Sequence, residues 1–166
     1  MTNTNELIKR VAANFGRIYL GGIPCLLNDD GAFLSFICSL TATEALGGFL
    51  SPTLPNGPRF RTFVQRYFPD PYPAQADALW KLRNADVHGF SPGPYKLTHH
   101  NSYFHLTQDE GLTVLNAEDF YATLVSASKR YFDDLGKDAA LQAAFLERAK
   151  DPDTGVLVVG PITGGP

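Results

Sequence analysis

An arginine, a neighbouring amide and a histidine fall within six residues of each other in the run Leu82-Arg83-Asn84-Ala85-Asp86-Val87-His88-Gly89. Arg83 supplies a permanent cation with a fork of donors that matches a phosphate. His88 supplies a ring that gains or loses a proton near neutrality, with an ordinary pKa of about 6.5. Asn84 supplies an amide able to hold that ring in one tautomer. These are parts for phosphate chemistry, and no other stretch of the 166 residues combines them.

The element that must position them is a helix from Ala74 to about Val87, with Gly89 placed as its C-terminal cap. At about 100° per residue, Ala76, Leu79, Trp80 and Val87 share one broad face and Arg83 falls in its middle. A guanidinium there must snorkel outward, pair with a buried acid such as Asp77, Asp86 or Glu44, or face a cleft or partner. Asn84 and His88, four apart, are neighbours on the adjacent face. Arg83 and His88 diverge by about 140° in an ideal helix, so they converge only if the helix frays at Gly89 or a second chain meets the first across a two-fold axis.

Around this helix the periodicity predicts others: Asn5 to about Leu20, Ala32 to Leu50, a short one over Phe60 to Tyr67, Asn116 to about Leu135 with Asn116 as N-cap, and Asp138 to Lys150. Phe120, Leu124, Ala127 and Tyr131 form the expected buried stripe of the helix that Asn116 begins. Ala45, Gly47 and Gly48 offer a close-packing surface near the end of the second. After Pro94 the pattern alternates, predicting strands at Tyr95–His99, Tyr103–Leu106 and Leu112–Leu115. The expected fold is mainly α, a bundle of four or five main helices with a small inserted antiparallel β-hairpin or meander near 95–115. Residues 1–150 make one domain, and 151–166 a tail carrying an added strand at Gly155–Gly160 and then a flexible end.

On these residues the chain resembles the HEPN superfamily, whose signature is an arginine, a polar residue and a histidine at the end of a bundle helix. Arg83, Asn84 and His88 fit its shortest spacing, and the helix order from about Asn5 to Leu135 suits the bundle. The resemblance implies a homodimeric or partner-bound protein that binds RNA or nucleotides, in many members a metal-independent endoribonuclease and often a toxin held by an antitoxin-like partner. In that role His88 acts as general base on a ribose 2′-hydroxyl or general acid on the departing 5′-oxygen. Arg83 stabilises the phosphate and Asn84 orients the ring, leaving a 2′,3′-cyclic phosphate end. The alternative is a non-catalytic helical interaction or dimerisation module in which Arg83 secures a core contact and His88 caps the helix.

Charge patterning bears on both roles. The whole chain is acidic, with a formal net charge of −3, so attraction to a polyanion must be local. From Arg59 to Arg83 five basic residues face two acidic ones, and Arg59, Arg61, Arg66 and Lys81 are the expected substrate-steering cations. Tyr67, Phe68, Tyr72 and Trp80 are candidates for base stacking if exposed. His99, His100 and His105 lack a carboxylate or thiol at ligand spacing, so neither metal nor cofactor is expected. Two cysteines, Cys25 and Cys38, suit a reducing cytoplasm as packing groups. The start of the chain lacks a signal-like pattern, and Glu44 with its neighbouring hydroxyls makes Ala32–Leu50 a buried helix rather than a membrane span.

Overall fold

Helix α2 (Ala32–Leu50) is apolar on nearly every side, and the fold is the consequence of covering it. The structure, a computed structural model, describes residues 4–89 and 91–150, with only the backbone of Asp29, Val87 and His88 described. The tail with its expected strand lies outside the described residues. Four helices pack against α2: α3 (Asn56–Tyr67), α4 (Ala76–Gly89), α5 (Ala117–Leu135) and α6 (Ala139–Lys150). Helix α1 (Thr4–Phe15) lies against α5, presenting Ile8, Val11 and Phe15 to the core, and continues into one π-helical turn. By length and hydropathy α2 alone, among the described residues, could cross a bilayer. Here its Phe36, Leu40 and Leu46 are almost wholly enclosed by protein.

The mainly helical architecture with an inserted sheet is the expected one, with six helices of twelve to nineteen residues among the described residues. Helix α3 begins four residues earlier than expected. Gly57 and Pro58 read as loop, yet proline is accommodated in a first helical turn, where its missing N–H has no partner to lose. Gly47 is where α2 and α3 touch: a Cβ there would lie 2.6 Å from the Arg59 carbonyl oxygen. Backbone cannot yield as a side chain tip can. Gly47→Ala is therefore expected to lower stability by about 1–2 kcal/mol, overpacking outweighing the better helix propensity of alanine. Urea unfolding reads this as a lower midpoint at unchanged slope, and an unchanged or higher midpoint would refute the tight contact.

The sheet differs from expectation in one pairing. β2 (Gln108–Asp109) and β3 (Leu112–Asn116) form the antiparallel hairpin, closed by Glu110 and Gly111, both at positive φ as a two-residue primed turn requires. β1 (Tyr95–Thr98), however, pairs parallel to β3, Tyr95 opposite Thr113 and Thr98 opposite Asn116. A parallel neighbour demands that the chain return to the start of the sheet before β3 begins. The segment expected as the strand Tyr103–Leu106 makes that return, as a single 3-10 turn at Ser102–Phe104 followed by Leu106 at positive φ.

Asn116 occupies the N-cap position of α5 in extended geometry, but its side chain does not cap. Its amide oxygen accepts from the Asn101 N–H at 3.0 Å and its amide nitrogen donates to Asp119 at 2.6 Å, pinning the return loop to the helix. The predicted stripe of α5 is buried throughout, and Asp138 caps α6 through the N–H groups of Ala140 and Leu141.

Candidate functional site

The buried face of α4 is Ala76, Leu79, Leu82 and Asp86, so the ionisable group at its centre is Asp86 and not Arg83. Leu82 rotates the face by about a fifth of a turn from the one drawn through Trp80. Arg83 sits on the shoulder, its side chain 19% exposed. From there its Nε comes within 2.7 Å of Oε2 of Glu44, the one acid in α2. The N–H is not aimed at the oxygen, so the contact is a close ion pair rather than a linear hydrogen bond. Arg83 Nη1 reaches Asn84 Oδ1 at 3.4 Å, and its guanidinium carbon lies 5.5 Å from the centre of the Trp80 ring.

Glu44 serves a second guanidinium, with Arg59 Nη2 of α3 at 3.9 Å from Oε1. One turn further along α2, a Cβ on Gly48 would meet Arg148 Nε at 3.3 Å and Arg59 Cζ at 3.6 Å. The arginines of α3 and α6 thus lie over bare α2 backbone, where any side chain would crowd them. Burial, and next the like charge of Arg148, push the Arg59 pKa down, against the pull of Glu44. Three helices therefore bring guanidiniums near the Glu44–Gly48 turn, and Glu44 pairs with those of Arg83 and Arg59. Glu44 is legible in the sequence as an acid stranded in an apolar helix, whereas Arg148 carries no local signal because a turn of α2 alone joins it to Arg59.

The remaining expected residues are dispersed. His88 lies in the last turn of α4, and its side chain is outside the described residues. Arg61 pairs with the exposed Asp77 at 3.4 Å, Lys81 is exposed, and Arg66 lies over the Tyr67 ring beside Asp133 and Asp134 of α5. Tyr67, Phe68 and Tyr72 are core residues and cannot stack on a base, which leaves the half-buried Trp80 of the four aromatic candidates. Asp86 is 3% exposed, and neither oxygen has a hydrogen-bond partner among the described residues. Burial pushes its pKa up to about 7.

The histidines of the sheet region are not the loose surface group that sequence suggests. His105 Nδ1 accepts from the Asn116 N–H at 3.0 Å, which places its proton on Nε2, 2.8 Å from the Tyr72 hydroxyl oxygen. Burial pushes its pKa down, so it is a neutral structural tie. His99 and His100 stand instead beside Glu118 of α5.

Compared with known proteins, the chain matches no family model, no curated protein and no solved structure.

Proposed function

We propose that this protein binds RNA or nucleotides in the manner of HEPN proteins and cleaves RNA without a metal, leaving 2′,3′-cyclic phosphate ends. The observation that carries this is the pairing of two guanidiniums, Arg83 and Arg59, with the Glu44 carboxylate, which holds Arg83 beside Asn84. Two guanidiniums on one carboxylate leave positive potential that a phosphate diester would neutralise. Glu44 is a positioning residue in this scheme: it fixes the Arg83 guanidinium beside Asn84, on the helix that ends in His88. His88 removes the 2′-hydroxyl proton as that oxygen bonds to phosphorus, the bond to the 5′-oxygen breaks, and that oxygen takes a proton back from the imidazolium. Arg83 stabilises the charge on the phosphoryl oxygens, and Asn84 orients the imidazole. Lys81 and Arg61, flanking on α4 and α3, steer the backbone. A second copy of the chain in a two-fold dimer, or an antitoxin-like partner, would complete or block the cleft.

The 2.7 Å contact of Arg83 with Glu44 equally favours a second role, a non-catalytic helical interaction module in which Arg83 serves only the core. Labelled RNA incubated with the full chain in EDTA separates the two. The expected result is cleavage to cyclic phosphate ends, reduced at least a hundredfold in His88→Ala and in Arg83→Lys, both folded by circular dichroism. No cleavage of any RNA by the unaltered chain, or equal cleavage by all three proteins, would leave the interaction module standing.

A further inference from the structure

Strand β1 ends at Thr98, and the next two residues are histidines. Their rings stand 4.7 Å apart at 68°, and one ligand atom from each lies within 4.8 Å of the other and of a Glu118 carboxylate oxygen. His100 Nδ1 is 2.7 Å from Glu118 Oε1, and the His100 backbone N–H donates to both carboxylate oxygens at 3.1 Å. The carboxylate is thus aimed by main chain, as ligating carboxylates are commonly held. His99 has the opposite status: its Nδ1 is buried with no hydrogen-bond partner among the described residues. It also lines a cavity of about 320 Å³ whose wall includes Asp30.

We infer that His99, His100 and Glu118 bind a single divalent transition-metal ion of zinc's class, with the remaining coordination positions taken by water. Two imidazoles and one carboxylate are a borderline donor set, suited to zinc, cobalt or nickel and poor for calcium or magnesium. A surface ion pair would account for His100 and Glu118, but not for the third donor beside them or for its unpartnered nitrogen. Tetrahedral ligands at zinc bond lengths stand about 3.4 Å apart, so the site closes by roughly 1 Å through side-chain movement while the His100–Glu118 contact opens slightly. The ion joins the exit of β1 to the first turn of α5 and ties the sheet to the bundle. None of these residues belongs to the Glu44 cluster, so the site stands independently of the proposed ribonuclease.

The untagged full chain, stripped of metal and titrated with cobalt(II), tests this by visible absorption. Expected is saturation at one equivalent, a spectrum of nitrogen and oxygen ligation, displacement by zinc, and a rise in melting temperature with metal. His100→Ala and Glu118→Gln each weaken binding at least tenfold, while Cys25→Ser leaves it unchanged. Circular dichroism verifies folding, and Glu118→Asp, which keeps the charge on a shorter arm, provides an intermediate affinity if Glu118→Gln is unstable. No saturable binding, a sulfur-to-cobalt charge-transfer band, or unchanged affinity in the histidine and glutamate variants would overturn the site.

Discussion

Arg83→Ala is expected to lower the unfolding free energy by roughly 3–5 kcal/mol, because it strands a carboxylate inside the bundle. Glu44 is 7% exposed and lies in the middle of a helix packed on several sides, so it cannot follow a missing partner to solvent. Arg59 at 3.9 Å is its other charged contact, too long for a good hydrogen bond. The reverse deletion differs in kind. In Glu44→Ala the guanidiniums lose their acid but have long stems and partly exposed heads, and can swing outward, so the expected loss is smaller, about 2 kcal/mol. The apolar double variant Glu44→Leu/Arg83→Leu should recover most of the loss of Arg83→Ala, since removing both charges removes the desolvation penalty as well. Urea unfolding of the unaltered chain and the three variants compares these losses. A loss below about 0.5 kcal/mol in Arg83→Ala would mean that the ion pair is a surface contact, and the positioning role given to Glu44 would fall with it.

What could be read from sequence followed from periodicity. The stripe Phe120, Leu124, Ala127 and Tyr131 repeats at helical spacing, and each member is buried. The end of α2 announces itself as a contact surface through Gly47, because a side chain absent there permits backbone approach. The buried face of α4 is hidden in the sequence because Leu82 and Asp86 differ in polarity, and a polar residue at a core position breaks the pattern that would reveal it. Pairing direction in the sheet was also hidden. Alternation marks β1 and β3 as strands, but only the return through Ser102–Leu106 makes them parallel. At the candidate site, Arg83 and Asn84 are adjacent in the chain and meet in space, whereas Arg59, Arg148 and Glu44 come from three other helices. Local spacing gives His99 and His100 no carboxylate for the same reason: Glu118 lies 18 residues beyond His100, brought close by the parallel pairing that places Thr98 opposite Asn116.

Asp86→Asn is expected to make the protein more stable above pH 7, by about 2 kcal/mol, and to abolish the loss of stability that the unaltered chain shows as pH rises from 4 to 7. Burial alone pushes the Asp86 carboxyl from 3.8 up to about 7, and no cation among the described residues offsets it. Between those values the folded chain holds a proton that the unfolded chain has released. Stability therefore falls as pH rises through this window, by up to about 1.4 kcal/mol per unit, and the loss is complete once the folded carboxyl ionises above pH 7. Asparagine keeps the shape without the charge, but buries two amide donors, which is why the expected gain is about half the full linkage energy of roughly 4 kcal/mol. His105 acts in the opposite sense. Its pKa is held below the ordinary value, so it costs stability as the pH falls below about 6.5, and that acid-side decline should survive in Asp86→Asn. Urea midpoints measured from pH 4 to 9 would show the decline between pH 4 and 7 disappearing in the variant alone. Should Asp86→Asn be less stable at pH 8 with the slope intact, Asp86 would be ionised and paired. A neutral Asp86 matters to the site as well: one turn from Arg83 on the same helix, an uncharged carboxyl leaves Glu44 as the acid that holds the guanidinium.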